Sequence, residues 1–172
     1  IIMLICFPEA KPLYPILKRT LDFLLALIAL ILLSTLLLIL AAAVRLTSPG
    51  PALFTQRRVG LHRRLFTIYK FRTMRTDTPK DAPTHLLQDA NRFITPLGRF
   101  LRASSLDELP QLLNILRGDM AFVGPRPALW NQDDLIAARE RVGANDVRPG
   151  LTGWAQINGR DELPIPVKAR LD

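Results

Sequence analysis

Cysteine occurs once in this chain, at Cys6, so no intrachain disulfide can form, and the sequence fits a reducing cytosolic compartment. Histidine is nearly as scarce; His85 has no partner at metal-ligand spacing and reads as a surface residue. Internal repeats are absent too, which leaves a single domain as the expectation at 172 residues. Acidic residues are missing altogether from Phe23 to Thr76, a stretch that holds Arg45, Arg57, Arg58, Arg63, Arg64, Lys70, Arg72 and Arg75. The remainder carries fifteen residues of each sign, so the net charge of +8 belongs to that block. A basic block beside an apolar segment reads first as a patch for an anionic membrane surface and second as a nucleic-acid surface. What is abundant is apolar: 49% of residues are hydrophobic and the mean hydropathy is +0.18, values that point to membrane contact.

Phe23 to Val44 concentrates that character. Only Ser34 and Thr35 interrupt the run, which would be about 33 Å long as a helix, enough to cross a hydrocarbon core. A cleaved signal peptide would have a shorter run, although Ala41-Ala42-Ala43 faintly mimics a cleavage site. Lys11, Lys18 and Arg19 precede the run and Arg45, Arg57 and Arg58 follow it, so both flanks read as cytosolic. A helix that enters, bends and returns satisfies both flanks; a full span is the alternative. Asp22 is expected to pair with Lys18 or Arg19, and Thr47-Ser-Pro-Gly-Pro51 to stop the helix with turn chemistry. Ile1 to Pro15 is apolar with three prolines, and without Met at position 1 the chain is expected either to begin within a longer one or to carry added residues.

Leu53 to Val59 and Arg64 to Phe71 are rich in β-formers around Gly60 and predict a short hairpin. Lys70 shares a face with Phe66 and Ile68; it is either a solvated edge charge or, beside so many arginines, a phosphate contact. Asp77 to Asn91, with Pro79 and Pro83, predicts a surface loop or short irregular helix placed to gate a site. Leu109, Leu112, Leu113 and Leu116 recur at i, i+3, i+4 and i+7, the buried face of a helix starting near Leu106. Ser105 and Glu108 fit a capping box, and Pro110 is tolerated in a first turn. On this pattern alone Asp107 and Glu108 are capping acids favoured by the helix dipole.

The neighbouring charges favour a second reading. Arg99 and Arg102 precede the acid pair, and Arg117 and Arg126 follow it. Such a cluster suits an anion. A carboxylate is ionised at neutral pH and needs no general base to act as a nucleophile, but it attacks a phosphoryl centre only when cations neutralise the oxygens. Val123-Gly-Pro-Arg-Pro127 fixes the direction of Arg126, since prolines flank it on both sides. Gln132 to Val142 predicts an amphipathic structural helix. The run from Arg148 to Arg160 combines three glycines, two terminal arginines and Trp154, a weak anion-loop signal by itself.

Several blocks together carry more. Thr47-Ser-Pro-Gly-Pro51, Phe54-Thr-Gln-Arg-Arg-Val-Gly60, Ile68-Tyr-Lys-Phe-Arg-Thr-Met74, Ser105-Leu-Asp-Glu-Leu-Pro-Gln111, Gly118-Asp-Met-Ala-Phe-Val-Gly-Pro-Arg-Pro127 and Asp146 to Arg160 closely resemble, in this order, the bacterial sugar transferases, that is, the monotopic phosphoglycosyl transferases. The resemblance covers almost everything after residue 18. It implies an α+β protein with an N-terminal membrane helix, read as re-entrant, and a small, mainly helical cytosolic catalytic domain containing a short β-hairpin. The corresponding boundaries are a flank over 1–20, a membrane-embedded helix over 21–46 and a catalytic domain over 47–172. Family members usually continue further, so this domain is expected to be C-terminally incomplete.

The implied activity is transfer of a sugar-1-phosphate from a UDP-sugar to a polyprenol phosphate such as undecaprenyl phosphate. UMP is released, at the cytosolic face of the bacterial inner membrane, as a first step of surface-glycan assembly. By the same resemblance Asp107 is the nucleophile and Glu108 holds Mg²⁺. Lys70, Arg102, Arg126, Arg148 and Arg160 are substrate contacts. The implied partners are donor, acceptor and membrane lipid, not nucleic acid, with a homo-oligomer left open. One departure stands out: the family breaks its membrane helix at a Ser-Pro pair, whereas this chain has Ser34-Thr35, which predicts only a weak bend. The rival reading is a non-catalytic, membrane-anchored basic module that binds anionic lipid or nucleic acid through residues 57–75, in which the acid pair is dispensable.

Overall fold

A computed structural model of the chain describes residues 13–78, 90–159 and 162–172. The apolar run forms two helices, α1 (Leu13–Leu32) and α2 (Ser34–Thr47), which meet at 65°. The weak bend predicted for Ser34-Thr35 is therefore corrected to a full break. Leu33 at the corner leaves the helical basin (φ −94°, ψ 4°), and the Ser34 hydroxyl donates to the Ile31 carbonyl at 2.8 Å, taking up an acceptor at the end of α1. The helix also begins at Leu13, so the last residues of the expected flank are part of it. Among the described residues no single helix is long and apolar enough to cross a membrane, whereas the bent pair together qualifies by length and composition.

Next come the hairpin strands, β1 (Leu53–Val59) and β2 (Leu65–Phe71), antiparallel with Leu53 opposite Phe71 and Val59 opposite Leu65. The helices α3 (Ala90–Phe93) and α4 (Pro96–Ala103) follow; the Thr95 side chain caps α4 by accepting from the Gly98 N–H at 2.9 Å. A 3₁₀ turn over Leu106–Gln111 leads into α5 (Leu112–Arg117). Two short strands, β3 (Ala121–Val123) and β4 (Gly150–Thr152), pair in parallel. Between them lies α6 (Asp133–Arg141), and α7 (Trp154–Ile157) and α8 (Ile165–Leu171) close the described chain. The β3–β4 pair was not predicted, because three-residue strands carry no periodicity. Their junction is tight enough that a Cβ on Gly150 would lie 2.1 Å from the Gly124 nitrogen.

Both arms of the helix pair rest on the domain. Ala26 of α1 is buried with Ile68, Leu112, Ile115 and Met120. Lys18 pairs with Asp22 at 2.8 Å, as predicted, and the other Asp22 oxygen accepts from the Phe122 N–H at 3.3 Å. Arg19 donates to the Ile115 and Leu116 carbonyls at 2.5 and 2.7 Å, at the C-terminal end of α5 where the helix dipole favours a cation. On α2, Leu40 and Val44 pack with Phe71 and Leu101. The corner is bare by comparison: Leu32 is 75% and Leu38 72% exposed.

Two expectations around the acid pair are corrected. Ser105 is left-handed (φ 58°) and its side chain caps nothing, so no capping box forms; the Glu108 N–H is bonded instead by the Ser105 carbonyl at 3.2 Å. The α-helix proper starts at Leu112, six residues later than predicted from Leu106. Its inner face also differs, because Leu113 is exposed while Gln111, Asn114 and Ile115 are buried. Asn114 is there for polar reasons. Its Nδ2 donates to the Thr67 carbonyl at 2.7 Å and its Oδ1 accepts from the Tyr69 N–H at 3.1 Å, so the side-chain amide completes β2 as a neighbouring strand would. Asn114→Ala leaves the Thr67 carbonyl and the Tyr69 N–H without their partner and opens a hole at a fully buried position, and is expected to cost about 2 kcal/mol, against about 0.5 kcal/mol for Leu113→Ala. Thermal unfolding of the purified variants measures the difference, and equal losses would contradict this role for Asn114.

Candidate active site

Four elements deliver the charged groups. Lys70 is the penultimate residue of β2, Asp107 and Glu108 lie on the 3₁₀ turn, Arg126 stands in the proline-flanked turn after β3, and Arg102 is in the last turn of α4. Glu108 Oε1 accepts from Lys70 Nζ at 2.7 Å and from Arg126 Nη2 at 2.9 Å. Burial alone would raise the Glu108 pKa. Lys70 and Arg126 outweigh burial and hold it down at about 2. Lys70 is itself pushed below its ordinary value, by burial first and by Arg126 second, with Glu108 opposing.

Asp107 has the opposite environment. It is 9% exposed and forms no ion pair among the described residues. Burial pushes its pKa above the ordinary carboxylate value, Lys70 and Arg102 oppose that rise, and Glu108 adds to it. Arg102 is lowered by burial, with Asp107 opposing, and its Nε donates to Thr73 Oγ1 at 3.0 Å. Adjacent carboxylates are thus pushed apart: Glu108 is a fixed anion that organises two cations, and Asp107 is the more basic carboxylate of the two.

Of the predicted site residues, Lys70, Arg102, Asp107, Glu108 and Arg126 come together. Arg148 stands apart from the Lys70–Glu108–Arg126 network and donates through Nε to the Gly118 carbonyl at 3.1 Å, beyond the end of α5. That contact uses only one of its guanidinium nitrogens. Arg160, His85 and the core of the predicted gating loop lie outside the described residues. Thr73 and Asn114 were not foreseen, since neither carries charge and only the tertiary contacts single them out. Arg117 was grouped with the acid pair, but it stacks on Tyr69, 5.0 Å from the ring centroid, and donates to its hydroxyl at 2.5 Å. A surface cavity of about 330 Å³ lined by Arg63, Ile136, Ala137, Glu140 and Arg141 contains none of the site groups.

The donor set is a partial fit for Mg²⁺. No group of three or more His, Cys, Asp or Glu gathers among the described residues, so these residues do not form a complete cage. Mg²⁺ usually takes one or two carboxylates and draws its other ligands from water and substrate phosphates. Glu108 uses Oε1 for both hydrogen bonds, which leaves Oε2, and Asp107 is its neighbour.

The profile of the bacterial sugar transferases matches residues 13–172. The uncharacterized sugar transferase EpsL of Bacillus subtilis is 46% identical over 157 residues, 91% of this chain and 76% of that protein. The UDP-glucose:undecaprenyl-phosphate glucose-1-phosphate transferase of Caulobacter vibrioides is 50% identical over 146 residues, 83% of this chain and 54% of its own length. The UDP-N-acetylgalactosamine-undecaprenyl-phosphate N-acetylgalactosaminephosphotransferase of Aeromonas hydrophila is 40% identical over 152 residues, 86% of this chain and 35% of its own. The chain thus spans about half or less of the length of the last two. With the acid pair, its cations and both strands of the hairpin inside the matched region, this chain belongs to the bacterial sugar transferase family.

Proposed function

We propose that this chain transfers a sugar-1-phosphate from a UDP-sugar to a polyprenol phosphate, releasing UMP, through a covalent intermediate on Asp107. The observation that carries the proposal is the division of labour in the acid pair: Glu108 is held at a pKa of about 2 by Lys70 and Arg126, while Asp107 is buried, without an ion pair among the described residues, and more basic than usual. Two of the relatives are named for this transfer with different sugars, so the proposal names the reaction class and leaves the sugar open.

The chemistry balances in two steps. An Asp107 carboxylate oxygen attacks the phosphorus that carries the sugar, and the bond from that phosphorus to the bridging oxygen breaks. UMP departs with the electron pair. A phosphate oxygen of the acceptor then attacks the same phosphorus, the aspartyl–phosphorus bond breaks, and Asp107 is regenerated as a carboxylate. Lys70, Arg126 and Arg102 neutralise phosphate oxygens, which removes the repulsion between a carboxylate and a diphosphate. Mg²⁺ bound by Glu108 and Asp107 would supply further charge neutralisation at the diphosphate.

A polyprenol lies in the bilayer and a nucleotide sugar in the cytosol, so one site must serve both from the interface. The V shape of α1 and α2 supports a re-entrant placement: both arms pack on the domain through Ala26 and Val44, and the apolar corner is exposed. On this reading the domain sits on the cytosolic face of the bacterial inner membrane, with both helix ends on that side.

Four outcomes are expected. Asp107→Asn should keep the fold yet lower UMP release by more than about a thousandfold, with or without acceptor. Wild type incubated with the UDP-sugar alone should gain one sugar phosphate on the peptide containing Asp107; intersecting initial-rate lines without an adduct would mean direct attack by the acceptor. Glu108→Gln should lower kcat by roughly a hundredfold and blunt the response to Mg²⁺. Undiminished turnover in excess chelator would remove the metal from the proposal. For topology, a cysteine at Tyr14 in a chain carrying Cys6→Ser should react in intact cells only with membrane-permeant reagents. Labelling by an impermeant thiol reagent would establish a spanning arrangement instead.

A further inference from the structure

The three cations of the site are oriented by different means. Lys70 and Arg126 are each fixed by Glu108, at 2.7 and 2.9 Å. Arg102 has contacts of a different kind: Nε donates to Thr73 Oγ1 at 3.0 Å and Nη2 lies 3.5 Å from Met74 Sδ. Two contacts along one edge fix the plane of a guanidinium, and a planar fork recognises phosphate only when it is aimed.

Thr73 is well placed to be such an anchor. It is 7% exposed, and its carbonyl accepts from both the Thr95 N–H at 3.0 Å and the Thr95 hydroxyl at 3.3 Å. The first turn of α4 presses on it so closely that a Cβ on Gly98 would sit 2.0 Å from the Thr73 carbonyl oxygen. Its backbone is therefore locked to the start of the helix whose last turn carries Arg102. A β-branched side chain adds a stiff χ1, so the hydroxyl direction follows from the backbone. Thr73 also lies two residues beyond the end of β2, the strand that carries Lys70.

We propose that Thr73 is a positioning residue, whose hydroxyl holds the Arg102 guanidinium in the direction needed to engage the donor diphosphate beside Asp107. This rests on the proposed function for the identity of the ligand. In this role Thr73 acts through Arg102, to which its hydroxyl is bonded, rather than on the ligand directly.

The test uses the full chain in detergent, with UDP as the binding probe and UMP release as the kinetic one. Thr73→Val keeps shape and removes the acceptor; it should weaken UDP binding about tenfold, the scale of a hydrogen bond to a charged group. Thr73→Ser restores the hydroxyl and should return binding to within about twofold of wild type. Arg102→Gln should show a loss at least as large, and the double variant with Thr73→Val should be no weaker than Arg102→Gln alone. If Thr73→Val does not fold, Thr73→Ala makes the same comparison. Unchanged binding in Thr73→Val, no rescue by serine, or additive losses in the double variant would each overturn the inference. A wild type that binds UDP but releases no UMP from any UDP-sugar would overturn the proposed reaction while leaving Thr73 to be decided by binding. A wild type that binds no UDP overturns both.

Discussion

The clasp of Glu108 between Lys70 and Arg126 is the interaction on which the site depends. Three separate pieces of chain meet at one carboxylate oxygen: the end of β2, the 3₁₀ turn and the turn after β3. A buried ion pair is weak evidence for stability, because desolvation offsets the Coulomb gain, but losing one member leaves a buried charge without compensation. The clasp therefore specifies an arrangement more than it strengthens the fold. It also explains the absent capping box: a Glu108 side chain committed to two cations is not available to reach back to Ser105, which turns left-handed.

The same constraint accounts for the properties of Asp107. Lys70 and Arg126 both donate to Glu108, so at Asp107 burial outweighs the opposing pull of Lys70 and Arg102. The hairpin and the helix must keep a fixed relation for this to persist. Asn114 provides it by bonding both neighbours of Ile68 on β2 from within α5. Arg19 and Asp22 extend the same rigid connection to the bent helices, so the element expected to meet lipid is attached to the one that carries the acids.

Arg72 illustrates how the two ends of that connection are joined. Its guanidinium is buried and donates to the Pro51 and Ser48 carbonyls at 2.7 and 2.8 Å, holding the turn that ends α2 against the end of β2. The turn chemistry of Thr47 to Pro51 stops the helix, and Arg72 decides where the stopped chain lies.

The hairpin, the apolar run, the helix over Asp133–Arg141 and the Lys18–Asp22 pair were legible in the sequence because each depends on local periodicity or spacing. Motif order likewise singled out Asp107, Glu108, Lys70, Arg102 and Arg126. Local pattern could not decide which cation serves which acid, nor that Arg148 turns to Gly118, since those contacts join residues 18 to 38 positions apart. It also misjudged the inner face of α5, because leucine spacing does not register that Asn114 is needed inside to complete β2. The break at Leu33 belongs to the same class: no residue there enforces it as proline would. Sequence by itself thus determined the inventory of charges and the regular elements, whose causes are local. Tertiary structure alone decided their partnership and the split between the two acids, because burial and ion pairing are properties of segments that meet only in the folded chain.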